Sequence, residues 1–395
     1  MRLCCSQDRQ SRRISTTKPR QQAFTPCVLR RFPSPPCDKM AGMPPMRKWR
    51  PRWLGNDPDI GVEILPPHVM TTTHRRRLVA SVLLVCLLTG CGAAPASTAE
   101  AISSTRPTAA LINCGVPVDL DGNPERIMTL KSSTTELVLA LGLQDRLVGT
   151  ADLDGPVPDH LRQGELPVIS EGLPSKEAVL QLRPDVILSG WESALTGQNI
   201  GERSSLHRSG IATYVPPAAC RGHEQAPAHL TFDDVFAYIE EAGRLLGASG
   251  AAQHLVRNQR AELAAQPRHG AHRTVFWYSS GQEQPYAGAG DGIPQVLIER
   301  TGLRNVLENL DGGWTSVGWE ALVRADPDII VLVDSPWSPA AAKRHTLETH
   351  PATSTLTAVR QQHYVIVPFA ATEIGVRNVE AVQTLNDQLA KIESS

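Results

Sequence analysis

The side chains able to do chemistry in this 395-residue chain are rings and isolated charges, not a catalytic set. Trp191, Trp277 and Trp337 stand at or just beyond the predicted C-terminal ends of strands. Trp314 falls in a loop, and Tyr278 and Tyr286 belong to the loop opposite. In open α/β sheets ligands bind outside those strand ends, so an aromatic rim there suits a planar or partly apolar ligand. Trp319 reads as core, and ordinary core packing is the alternative for the rest. Lys131 with Ser132 and Ser133 lies between a strand and a helix start, a natural place for an anion; its alternative is an exposed lysine beside capping hydroxyls. Arg377, after the last strand, could clamp a carboxylate or phosphate, or pair locally with Glu373 or Glu380. The chain has no G-x-S-x-G elbow, H-E-x-x-H or C-x-x-C pair after residue 91. His160, His207, His254, His272 and His363 are dispersed without ligand spacing, and Gly288-Ala-Gly-Asp-Gly292 lacks the dinucleotide-binding period. These residues are equipped to bind, with no catalytic residue or metal set among them.

The elements that must position them are written twice. Glu177-Ala-Val-Leu-Gln-Leu-Arg-Pro-Asp-Val-Ile-Leu-Ser-Gly190 is echoed by Glu320-Ala-Leu-Val-Arg-Ala-Asp-Pro-Asp-Ile-Ile-Val-Leu-Val333. Each copy predicts a short helix with an acidic start, a Pro-Asp stop and a strand covered on both faces. The order strand, loop, helix, Gly-Leu, repeat copy, strand-to-Pro recurs in both halves. Predicted strands cover 126–130, 147–150 and 211–215 in the first half, and 274–278 and 364–367 in the second. Helices are expected at about 135–141 and 294–301, with a final helix at 378–392. Between the halves, Thr231 caps a helix over 232–246, and a second helix over 251–265 follows. The predicted fold class is therefore α/β: two similar lobes with mostly parallel sheets, 114–230 and 269–395, bridged over 231–268 by a long α-helix.

Charge and cysteine usage place the chain. Residues 1–69 hold 13 Lys/Arg against 5 Asp/Glu, with no apolar period, and read as a disordered, misassigned extension. Met70-Thr-Thr-Thr-His-Arg-Arg-Arg77, the apolar run 78–88 and Leu88-Thr-Gly-Cys91 make a signal peptide over 70–90, too short to span a bilayer. Leu88-Thr-Gly-Cys91 resembles a bacterial lipobox, which implies a lipid on Cys91 and a membrane anchor at the outer face of the cell membrane. Residues 91–113 read as a flexible tether. Residues 91–395 hold 23 Lys/Arg against 35 Asp/Glu, which argues against nucleic acid as partner. After processing, Cys114 and Cys220 are the remaining pair, a disulfide in an oxidising compartment or else two buried thiols.

The lipobox, the bilobed repeat and the bridging helix together resemble the siderophore and cobalamin class of periplasmic substrate-binding proteins, over roughly residues 114–392. Lys131-Ser-Ser-Thr-Thr-Glu136, Gly190-Trp-Glu192, Ala218-Ala-Cys220, Val333-Asp-Ser-Pro-Trp337 and Ala371-Thr-Glu-Ile-Gly-Val-Arg-Asn-Val-Glu380 are similar to one actinobacterial subfamily assigned to import of a deazaflavin cofactor precursor. The resemblance implies a monomer that delivers a small molecule, with a ring system and an anionic group, to an ABC transporter permease and its ATPase. It also implies that Glu177 and Glu320, one per lobe, dock that permease, where preference for a helix N-terminus is the simpler alternative. An extracytoplasmic enzyme or a ligand sensor on the same scaffold is the competing function.

Overall fold

Two sheets, each opened by a strand that an aspartate of the repeat pins in place, organise the chain. The computed structural model describes residues 111–220 and 229–394. The extension, the signal segment and Cys91 lie outside them. A short antiparallel pair, β1 (Leu111–Asn113) and β2 (Val116–Val118), opens the described chain, so the last three residues of the expected tether form a strand.

The first lobe carries β3 (Ile127–Leu130), α1 (Ser132–Ala140), β4 (Leu147–Ala151), β5 (Val168–Ser170), α2 (Lys176–Leu182), β6 (Val186–Ser189), α3 (Arg203–Arg208) and β7 (Ala212–Tyr214). Its sheet has the order β5-β4-β3-β6-β7, parallel throughout. Parallel strands need helical crossovers that cover both faces. Hence β3 and β6 are buried at every position. Cys114 and Cys220 are joined by a disulfide, with Cα atoms 5.1 Å apart, tying the start of this lobe to the turn after β7.

Helices α4 (Phe232–Leu245) and α5 (Ser249–Ala265) follow. Thr231 caps α4 through a reciprocal capping box with Asp234. Tyr238 of α4 stacks on Tyr214 of the first lobe at 6.2 Å, while Gln259 of α5 donates to the Val376 carbonyl of the second. The helix pair thus touches both lobes.

The second lobe carries β8 (Thr274–Ser280), β9 (Tyr286–Gly288), α6 (Ile293–Thr301), β10 (Arg304–Asn305), β11 (Trp314–Ser316), α7 (Trp319–Ala325), β12 (Ile329–Asp334), α8 (Ala340–Thr349), α9 (Thr357–Arg360), β13 (Tyr364–Pro368) and α10 (Asn378–Glu393). Here β8, β12 and β13 run parallel, β10 pairs with β8, and β9 and β11 add an antiparallel edge.

The repeat has a mechanical reason. Both α2 and α7 are seven residues long and end on a left-handed residue, Arg183 (φ 45°) and Asp326 (φ 38°). Proline follows each and stops the helix. Then Asp185 accepts the backbone N–H groups of Glu125 and Arg126 at 2.8 and 2.9 Å, just ahead of β3. Asp328 accepts the Thr274 N–H at 2.7 Å, at the first residue of β8. In each lobe the repeated Pro-Asp therefore fixes where the neighbouring strand begins. Among the described residues, no helix is long and apolar enough to cross a membrane.

Candidate ligand-binding cleft

Two adjoining cavities open where the strand ends of the lobes face each other. One of ≈ 580 Å³ is lined by Trp191 and Ala218–Cys220 of the first lobe and by Tyr286, Trp314 and Thr372–Ile374 of the second. The other, ≈ 340 Å³, adds Lys131, Asp152 and Phe369. Trp191, Tyr286 and Trp314 line both, so the two form one cleft of the size small-molecule sites occupy.

Its second-lobe wall is a ladder of rings. Trp314 stacks on Tyr286 at 5.9 Å and on Phe369 at 6.4 Å, with planes within 16° and 15° of parallel. Trp337 meets Phe369 edge-on at 5.1 Å and is 55 % exposed. The β9–β11 edge and the turns after β12 and β13 carry these rings. Such surfaces accept a further planar ring at little cost in side-chain entropy.

The first-lobe wall is charged. Lys131 sits at the N-cap of α1 with φ 86° and ψ 151°, a conformation that costs a non-glycine residue about 1–3 kcal/mol. Its Nζ lies 3.1 Å from Asp152, 3.0 Å from Asp154 and 5.7 Å from the Trp337 ring centroid. Gly190 allows this arrangement, because a Cβ there would come within 2.9 Å of the Lys131 Cβ. Burial lowers the Lys131 pKa, but the two aspartates outweigh it and raise the value.

The expected anion site at α1 is filled from within. The Asp154 carboxylate accepts the Ser132 N–H at 3.3 Å, and its own N–H donates to Ser132 Oγ at 2.8 Å. Ser132 and Ser133 are buried helix residues rather than caps, so α1 starts three residues earlier than predicted. A carboxylate from another strand end supplies the cap that local sequence was expected to give. Arg377 is also engaged: it lies 3.4 Å from Glu136 of α1, across the lobes, and 3.4 Å from Glu380. The anion clamp expected of Lys131 and Arg377 is thus replaced by internal pairs. Burial pushes the Glu136 carboxyl up to about 7, with Arg377 only partly offsetting it.

Of the other expected site residues, Trp191 and Trp314 line the cleft and Trp337 stands at its aromatic rim. Trp277 and Tyr278 do not line it: they are 0 % and 1 % exposed, in the core. Strand β8 runs on to Ser280, so both lie inside it, between β12 and β9, instead of at its end. Trp319 is core as expected, edge-on to Tyr278 at 5.6 Å. Glu177 and Glu320 are exposed, each in the first turn of its helix. Sequence reasoning missed Asp152, Asp154, Phe369 and Glu373. The first three follow strand C-termini, the rule that found Trp191, and applying it to acids would have found the aspartates. Among the described residues no cluster of three or more His, Cys, Asp or Glu could hold a metal.

Comparison with known proteins supports the same architecture. The substrate-binding lipoprotein YvrC of Bacillus subtilis, an uncharacterized ABC transporter component, is 25% identical over 279 residues, 69% of this chain and 82% of that one. A cobalamin-binding protein of Halobacterium salinarum is 26% identical over 223 residues, 54% of this chain and 55% of that one. A solved structure from Saccharomonospora viridis, described as an ABC-type Fe3+-hydroxamate transport system, superposes with a TM-score of 0.60 at 26% identity, covering 71% of this chain and 98% of that one. The family model described as periplasmic binding protein matches residues 127–371, both lobes and the helices between them, and the chain belongs to that family.

Proposed function

We propose that this protein captures a ring-bearing small molecule outside the cytoplasm and delivers it to an ABC importer, a permease with its ATPase. The observation that carries the reading is the ladder Tyr286–Trp314–Phe369 facing Trp191 across a two-lobed cleft. Relatives described as binding cobalamin, and a similar structure described as handling an Fe3+-hydroxamate, support a siderophore- or cobalamin-like cargo. The subfamily resemblance adds a deazaflavin precursor to the same class of planar or macrocyclic compounds. Glu177 and Glu320, equivalent in the repeat and exposed on separate lobes, are suited to contact a two-fold permease. A lipid on Cys91 would keep the protein at the membrane as a monomer. Among its described lining residues the cleft supplies surface for binding and no nucleophile–base pair for turnover.

Mass spectrometry of what co-purifies with the protein, combined with uptake of that compound in a deletion strain, tests the proposal. A ring-bearing ligand whose uptake is lost on deletion is expected. Unchanged uptake, or recovery of a small sugar or free ion, would overturn it. Reversing the charge of Glu177 and Glu320 together should abolish uptake and leave ligand affinity intact.

A further inference from the structure

Glu373 is a buried carboxyl whose Oε1 finds no hydrogen-bond partner among the described residues. It is 7 % exposed, and it lines the larger cavity between Thr372 and Ile374. The neighbouring buried acids are served: Asp154 by Lys131 and the Ser132 N–H, Glu136 by Arg377. Native structures rarely leave such an atom unpaired without a functional reason. Burial drives the Glu373 carboxyl well above the usual carboxylate range, with Asp154 adding to the rise and Lys131 partly offsetting it. The direction of the shift favours the protonated form.

The surrounding charge is one-sided. The described residues lining the two cavities include Asp152, Asp291 and Glu373 and one Lys or Arg, Lys131, which Asp152 and Asp154 already hold. His229 lies 3.3 Å from Asp291 but is largely exposed. Arg377 is shared between Glu136 and Glu380. An acidic ligand group placed here would meet carboxyls and, among the described lining residues, no cation that is not already paired, so these residues discriminate by charge as well as shape.

We propose that Glu373 determines ligand specificity, accepting a hydrogen bond from an N–H donor on the edge of a planar ligand, and that the cleft rejects acidic groups at this point. This deepens the reading of the cleft as a ligand site and rests on it. Neutral and cationic donors differ in one respect. A neutral N–H bonds to the carbonyl oxygen of the protonated carboxyl, and no proton moves. A cationic donor calls for the carboxylate, so Glu373 releases its proton to solvent as the ligand enters.

Three acridines of similar shape test this by calorimetry at pH 7 in two buffers of different ionisation enthalpy: proflavine (a cationic amine), acridone (a neutral N–H) and acridine-9-carboxylate. Proflavine and acridone should each bind at least tenfold more tightly than the carboxylate, and only proflavine should release a proton. Glu373→Leu should weaken both donors about tenfold. Glu373→Gln, which keeps the acceptor oxygen, should weaken proflavine alone and abolish its proton release. Both variants should melt no lower than the parent, because an unpaired buried acid is removed. Equal binding of the carboxylate, or undiminished donor binding to Glu373→Leu, would overturn the role of Glu373. Failure of all three to bind the parent protein would instead refute the cleft as a ring site, and this inference with it.

Discussion

The two lobes share a grammar yet contribute opposite chemistry. In the first, the strand ends deliver Lys131, Asp152 and Asp154, and one ring, Trp191. In the second they deliver Tyr286, Trp314, Trp337 and Phe369. The difference arises at one place in the repeat. Between its first strand and first helix the second lobe gains β9, which pairs with β11, and this antiparallel edge carries two of the rings. The first lobe has no such edge; its α1 begins directly after β3 with the strained Lys131. A duplicated scaffold can thus divide labour: the stacked rings stand on one wall and the paired lysine and aspartates on the other, with Glu373 set beside the rings.

The lobes also differ in how they are held, and the largest effect should come from there. Only the first carries a disulfide among the described residues. Replacing Cys114 and Cys220 by alanine reopens a span of 106 residues and should cost up to about 4 kcal/mol of stability in the chain-entropy picture. Urea denaturation should show the loss, and hydrogen exchange should place it in β3, β6 and β7 while β8 and β12 keep their protection. An unchanged midpoint would mean that the two lobes are equally stable without the staple.

At the joint between the lobes, Glu136 titrates at about 7 when folded, above its ordinary value of 4.5. A raised folded-state value means that its contribution is complete below about pH 4.5 and is lost as pH rises through about 7. Glu136→Gln should therefore gain stability relative to the parent across that window, by up to about 3 kcal/mol. Asp154 and Glu373 shift in the same direction, so each adds to the loss of stability as pH rises. A parent–variant difference that stays constant between pH 5 and pH 8 would show that the joint does not titrate.

Trp314→Ala should cost about 1–3 kcal/mol in affinity for the recovered ligand, because Trp314 lies between two rings. Trp191→Ala, from the wall with one ring, should cost less. Fluorescence titration distinguishes them, and equal losses would dissolve the division between walls.

The smallest test uses equivalent residues in the repeat. Arg183→Gly relieves a left-handed cap and should stabilise by about 0.5 kcal/mol. Asp326→Gly should destabilise, although its backbone is alike, because Asp326 accepts from the Thr357 N–H and hydroxyl at 2.8 Å and so anchors α9. Thermal melts that move the same way in both variants would contradict this.

Much of the scaffold was legible in the residues. The runs at 186–188 and 329–333 read as strands covered on both faces, and Thr231 marked the start of α4. The Glu-Ala…Pro-Asp echo gave two lobes, since local propensity and stop signals act over a few residues. Tertiary structure alone decided which charges face a ligand. Lys131 and Arg377 looked like free cations because the acids that hold them, Asp152, Asp154 and Glu136, lie far from them in the chain or on another lobe. Trp277 left the rim because β8 runs two residues longer than predicted, and Glu373 became notable only once burial left it unpaired. Periodicity and turn chemistry are short-range and can be read along the chain. Desolvation and charge pairing depend on which distant segments meet, and those meetings are made only when the sheets and helices pack.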